Sequence, residues 1–169
     1  TGLYPATDRV IEWGAVRFQG DNILSEFSEL ADPGMPISPE ARRISGITDA
    51  ELKGARPTDA VAGDLLAFIG DRVVIAHNAD FDLGFVRAAV QRLGLTEPRN
   101  LILDTIALSQ KAFPGQRSYA LQAIRDFLQI PENSAHRARD DAETCMRIFV
   151  ACVKELSFMG DLSLGELLI

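Results

Sequence analysis

Residues Val73 to Val90 read VVIAHNADFDLGFVRAAV, and the order of residue types in this stretch decides the fold. Val73-Val74-Ile75 is a run of β-formers, Ala76-His77-Asn78-Ala79 is a polar junction, and beyond it apolar residues recur at helical spacing. A strand therefore runs into a helix. On that helix Val86, Ala89, Val90 and Leu93 form one stripe, and four residues back from Val86 lies Asp82. The spacing predicts a carboxylate on the buried face, serving either as a cap of the first turn or as a ligand for metal or substrate. Asp80 falls on the side shared with Arg87 and reads as an ordinary N-terminal acid.

A second segment repeats the arrangement. His136 to Leu156 is the longest helical stretch, with Cys145, Ile148, Phe149, Cys152 and Leu156 on one face, and that face extended back four residues reaches Asp141. Asp140 shares its face with Thr144 and Arg147, which suits a solvated role. An unpaired buried carboxylate is costly, so two of them on the core-facing stripes of separate helices call for a shared partner. A divalent cation is the simplest one. No Cys/His cluster has zinc spacing, and all-oxygen ligands favour magnesium or manganese. His136, five residues before Asp141, is placed to deprotonate a water, although a surface histidine at a helix start would look the same.

The remaining chain reads as one domain of 169 residues, with a hydrophobic content of 47% that can fill a core. No apolar run reaches the length of a membrane span, and the N-terminus lacks the pattern of a signal peptide, so a cytoplasmic location is expected. Cys145 and Cys152 lie about 10 Å apart along one helix, too far to bridge, and read as buried thiols. The net charge of −7 argues against a protein held on nucleic acid by a basic field. It leaves room for one that grips a strand end through metal ions and backbone amides.

Other elements follow from local signals. Residues 9–18 and 23–30 are expected to pair as a hairpin across Gly20-Asp21-Asn22. Glu12 inside the first strand is either a catalytic acid or an acid bonded to a neighbouring backbone or basic group. Short helices are expected at 39–44 and 49–53, a longer one from Pro57-Thr58-Asp59 through Ile69, and a strand at 100–103. Asp104 then opens a helix to Phe113 as its N-cap, with a ligand role the competing reading. Ser118 is expected to cap a helix to Leu128.

His77-Asn78-Ala79-Asp80-Phe81-Asp82 resembles the second motif of the DEDDh 3′–5′ exonucleases, and His136-Arg137-Ala138-Arg139-Asp140-Asp141-Ala142 resembles the third. Thr1-Gly2-Leu3 is similar to the tail of the first, Asp-x-Glu-Thr-Thr-Gly-Leu. Ser45-Gly46-Ile47-Thr48 and Leu103-Asp104-Thr105 also match, and the resemblance is strongest to the epsilon-subunit-like proofreading exonucleases of bacterial DNA polymerase III. It implies an α/β, ribonuclease-H-like fold with a mixed five-stranded sheet flanked by helices, over residues 1–156, with 157–169 as a tail or terminal helix. It implies two divalent cations, Mg²⁺ or Mn²⁺, and release of nucleoside 5′-monophosphates from a single-stranded DNA 3′ end. Asp82 and Asp141 would hold metal, His136 would act as general base, Thr1, Gly2 and Leu3 would border the terminal nucleotide, and Asn78 and Phe81 would line the strand path.

The first-motif aspartate and glutamate, five and three residues before the position of Gly2, are not among residues 1–169. They and the first central strand are expected upstream of Thr1, and without them at most weak metal binding and no meaningful exonuclease activity are expected. Two competing functions are RNA trimming and a non-catalytic docking domain with the same fold. Asp161 to Ile169 resembles faintly the peptides that dock on a sliding clamp, without their usual glutamine, and reads more simply as an amphipathic helix packing on the body or on another subunit such as a polymerase.

Overall fold

The computed structural model describes residues 1–131, 137–158 and 165. The structure is α/β with mixed strand pairing. Strand β1 (Glu12–Gln19) turns at Gly20, whose φ of +56° suits glycine, into β2 (Asn22–Asp32), and the two pair antiparallel from Glu12↔Leu30 to Gln19↔Asn22. A two-residue strand, β3 (Arg56–Pro57), adds to β2 in parallel. Strand β4 (Val74–Ala76) pairs in parallel with β5 (Ile102–Asp104), and Ala76 stands opposite Asp104 at their C-terminal ends.

Among the described residues these strands form a three-stranded and a two-stranded sheet, with no ladder bonds joining them. The five described strands are thus divided between two sheets, one mixed and one parallel. The helices cover them. Helix α2 (Thr58–Ile69) and helix α3 (Ala79–Leu93) pack on the hairpin around Trp13, Ala31, Val61, Leu65, Phe85 and Ala89. Helices α4 (Thr105–Ala112), α5 (Leu121–Phe127) and α6 (Ala138–Ser157) enclose Leu103, Leu108, Ile124, Ile148 and Cys152. A third small cluster, Ile11, Ile37, Ile47 and Leu52, holds down the connector that includes α1 (Pro39–Ser45).

Three expectations are corrected. Residues 49–53 make turns, not a helix: Thr48 and Glu51 exchange capping bonds (Thr48 N to Glu51 Oε2 at 2.8 Å), but Gly54 at φ +89° stops the turn before it propagates. Ser118 bonds the amide of Ala120 at 3.2 Å, a local turn that competes with helix, so α5 begins at Leu121. The buried side of α3 centres on Phe85, Ala89 and Val90, while Leu93 at the helix end is exposed. Cys145 and Cys152 are buried free thiols, and burial pushes Cys145 up to about 12. No helix among the described residues is long and apolar enough to cross a membrane. The expected clamp-like peptide and terminal helix within 157–169 lie almost wholly outside the described residues.

Candidate functional site

Three helices each bring a carboxylate to the first turn or cap: Asp82 on α3, Asp104 ahead of α4 and Asp141 on α6. The first two helices start where β4 and β5 end, the edge of a parallel pair at which α/β proteins place their ligands.

Asp82 departs from expectation in one respect. It lies on the same side of α3 as Phe85 and Val86, but it is exposed, although Ala79 three residues before it is buried. Protein nevertheless surrounds the carboxyl closely. Loss of solvation, and after it the Asp104 charge, push its pKa up to about 6, and no described cation offsets either effect. The carboxylate is thus reached by water yet crowded by protein and by a second negative charge.

Asp141 enters from α6. It is half-buried, and Gln122 Nε2 approaches its Oδ1 at 3.4 Å. One turn further on the same face lies Cys145, whose thiol feels the charges of both Asp82 and Asp104. The start of α4 meets α6 at that turn, with Thr105 Oγ1 3.6 Å from Cys145 Sγ. His136 lies outside the described residues. Asp140 pairs with Arg139 at 3.0 Å in a cluster that also includes Glu26, Glu143 and Arg147, in keeping with a role at the rim.

The helix that brings Asp141 is seated by β1. The Glu12 carboxylate accepts from the Ala138 amide at 2.9 Å and from the Arg137 guanidinium at 2.8 and 3.0 Å, so it caps α6, whose N-cap residue makes no such bond itself. With its side chain 6% exposed, Glu12 is structural, as the bonded alternative had it. Gly14 completes the seat: a Cβ there would stand 2.3 Å from the Ala138 carbonyl carbon and 2.4 Å from the Arg139 nitrogen. Glu12→Gln leaves Arg137 without its counter-charge and weakens the cap. Because Arg137 is partly solvated, the expected cost is about 2 kcal/mol, read by urea unfolding. A loss below a few tenths of that would show that α6 is seated by other contacts.

Thr1 is buried, donates from Oγ1 to Asp8 at 3.0 Å and accepts from the Arg9 amide at 3.0 Å. Gly2 runs so close to the Asp8 carboxylate that a Cβ would lie 2.4 Å from Oδ2, while Leu3 is left 66% exposed. Pro5 of the same loop abuts α3 at Gly84, where a Cβ would meet it at 2.9 Å, which brings the loop against the helix that carries Asp82. Phe81 is exposed and stands edge-on to Phe85 at 5.3 Å; Asn78 is exposed with φ +66° and ψ +57°. The His77 ring is turned inward instead, with Nδ1 2.8 Å from Thr105 Oγ1, Nε2 buried without a partner, and its pKa lowered mainly by burial.

The chemistry of these donors suits a hard cation at Asp82, since a crowded carboxylate beside a second acid is relieved by positive charge. The set is incomplete, because among the described residues no three His, Cys, Asp or Glu side chains gather into a metal site.

Residues 1–149 match the family described as exonuclease, RNase T. The chain is 36% identical over 168 residues to a PolC-type DNA polymerase III of Thermotoga maritima, covering 99% of the chain and 12% of that polymerase. A provisionally named bifunctional exonuclease/endonuclease protein of Mycobacterium tuberculosis is 35% identical over 162 residues, 95% of the chain and 25% of that protein. The chain thus spans an eighth to a quarter of the length of these relatives. Among solved structures, Exonuclease X in complex with 5′ overhanging duplex DNA superposes with a TM-score of 0.70 at 23% identity, covering 99% of the chain and 92% of the other. The nuclease domain of 3′hExo, a DEDDh family member bound to rAMP, gives 0.74 at 16% identity, covering 87% and 82%. The fold is that of the ribonuclease-H-like DEDDh exonucleases.

Proposed function

The chain belongs to the exonuclease family, and on that premise we propose that it is the nuclease module of a metal-dependent 3′–5′ exonuclease that removes nucleoside 5′-monophosphates from single-stranded DNA ends. The observation that carries this reading is the meeting of the α3 and α4 starts at the ends of β4 and β5, where Asp104 accepts from the Ala79 amide at 2.9 Å and Thr105 Oγ1 lies 3.6 Å from Cys145 Sγ, one turn of α6 beyond Asp141. Asp82 and Asp141 would hold the cations, Mg²⁺ or Mn²⁺. When bound, such ions stabilise the attacking and leaving oxygens of a phosphodiester.

The other roles fall to this chain's own groups. His136 takes the proton of the attacking water, an imidazole being suited to that task near neutrality. The Thr1-Gly2-Leu3 loop borders the terminal nucleotide, with exposed Leu3 against its base, and Asn78 and Phe81 follow the strand behind it. Exposed aromatic and aliphatic faces hold a base by stacking, which does not depend on net positive charge. That fits a module of net charge −7. Similarity to a PolC-type DNA polymerase III supports a polymerase subunit as partner, and on this reading the module proofreads in the cytoplasm, with a sliding clamp as the alternative partner.

The test is cleavage of 5′-labelled DNA and RNA oligomers, side by side, with Mg²⁺, Mn²⁺ or EDTA, by the protein together with any residues encoded before Thr1. DNA shortened from its 3′ end faster than RNA, and only with metal, is the expected result. Faster RNA turnover would transfer the activity to RNA trimming. Metal binding without cleavage of either would leave a docking domain, and cleavage in EDTA would overturn the metal-dependent mechanism.

A further inference from the structure

Asp104 and Thr105 grip four consecutive residues of the segment that leads into α3. Asp104 Oδ1 accepts from the Asn78 amide at 3.2 Å and from the Ile106 amide at 2.8 Å, and Oδ2 accepts from the Ala79 amide at 2.9 Å. Thr105 Oγ1 donates to the Ala76 carbonyl at 3.2 Å and meets His77 Nδ1 at 2.8 Å. One carboxylate thus serves the N-termini of two helices, α4 through its own cap and α3 from another strand, where Asn78 supplies no side-chain cap.

The grip falls where the chain needs it. Asn78 is one of two non-glycine residues with positive φ among those described, and a left-handed residue is held only when its surroundings fix it. That single backbone reversal turns β4 into α3, the helix whose first turn carries exposed Phe81 and Asp82. We infer that Asp104 is the positioning residue of this site: it fixes the Asn78 reversal and so sets where the Asp82 carboxylate stands, without itself touching cation or strand. A plain helix cap would need only the Ile106 bond; the two bonds to Asn78 and Ala79 belong to a different element, about 25 residues earlier. The inference rests on the exonuclease reading only for what Asp82 does.

Asp104→Ser separates the two jobs, because serine is a good N-cap for α4 but too short to span to Ala79. Hydrogen exchange of the variant is expected to speed at Ala79 by about tenfold or more while Ile106 stays within about twofold of the parent. Mn²⁺ affinity, titrated on the same samples, is expected to fall about tenfold. Asp82→Asn runs in parallel. If it binds Mn²⁺ as well as the parent, the metal reading of Asp82 has failed, and the exchange of Ala79 against Ile106 still decides the clamp. Unchanged exchange at Ala79, equal loss at Ala79 and Ile106, or undiminished Mn²⁺ affinity in a chain whose Asp82 is shown to bind it would each overturn the positioning role.

Discussion

Asp82→Asn is expected to lower 3′-end cleavage by at least about 10³-fold, the several kcal/mol that a misheld cation forfeits in phosphoryl transfer. The same substitution is expected to stabilise the metal-free protein at neutral pH, a combination that a merely structural aspartate would not give. Asp82 has a folded-state pKa of about 6, above the ordinary 3.8 of the unfolded chain. Its contribution to stability is therefore fully present below pH 3.8 and is lost as pH rises through about 6, because above that the folded protein must carry the charge where solvation is poor. Asparagine never carries it. The melting temperature of the variant should exceed that of the parent above pH 6, converge with it between pH 6 and 3.8, and match it below. Saturating Mn²⁺ should reverse the order at neutral pH by stabilising only the parent. A variant that cleaves normally, or that melts lower than the parent at pH 7 without metal, would remove Asp82 from the site.

Gly14→Ala is expected to be the most damaging glycine-to-alanine change among the described residues. The new Cβ would stand 2.3 Å from the Ala138 carbonyl carbon, 2.4 Å from the Arg139 nitrogen and 2.7 Å from the Ala138 oxygen, all of them backbone, which cannot swing aside as a side chain can. Helix α6 must then lift from β1, stretching the Glu12 bonds to Arg137 and Ala138 and displacing Asp141 three residues on. Overpacking and loss of the cap together put the cost at about 3 kcal/mol or more, read as a shift of the urea midpoint. Activity should fall further than the folded fraction accounts for. A variant with the parent's stability and activity would mean that α6 is not seated on β1 as described. Gly20→Ala, in the open hairpin turn at φ +56°, serves as a comparison with backbone strain but no clash.

How far the sequence reached depends on the range of the interactions concerned. Helix α2 was bounded by Pro57 before and Gly70 after, both local signals, and the hairpin turn and the Asp104 cap were local too. The α6 stripe emerged with Cys145, Ile148 and Cys152 buried because a helical period runs unbroken over five turns. What escaped was set by other segments. Nothing near Glu12 in the chain announces that it caps a helix 126 residues away, though an acid in a strand raised the bonded alternative. Gly14 in a strand could have been read as a site of close backbone approach, the signal that was available and passed over. Strand β3 is two residues long, too short for any period to show. The second and third bonds of Asp104 depend on parallel pairing of β4 with β5, which brings Asp104 opposite Ala76.

The direction of Asp82 was legible and its surroundings were not. Four-residue spacing puts it on the Val86 side of α3, but periodicity alone does not fix burial, and Asp82 is exposed where a buried carboxylate was expected. For the same reason the side chains of His77 and Asn78, neighbours in the same motif, part company: the first turns in to Thr105 and the second lies at the surface, split by the left-handed backbone of Asn78.

The account stands on one convergence, that of Asp82 from α3 and Asp141 from α6 upon a common cation site. Crystals of the protein soaked in Mn²⁺ and measured for anomalous scattering test it most directly. A manganese peak within about 2.0–2.6 Å of oxygens from both carboxylates is the predicted result. Manganese bound elsewhere, or held by one of the two with the other turned away, would contradict it.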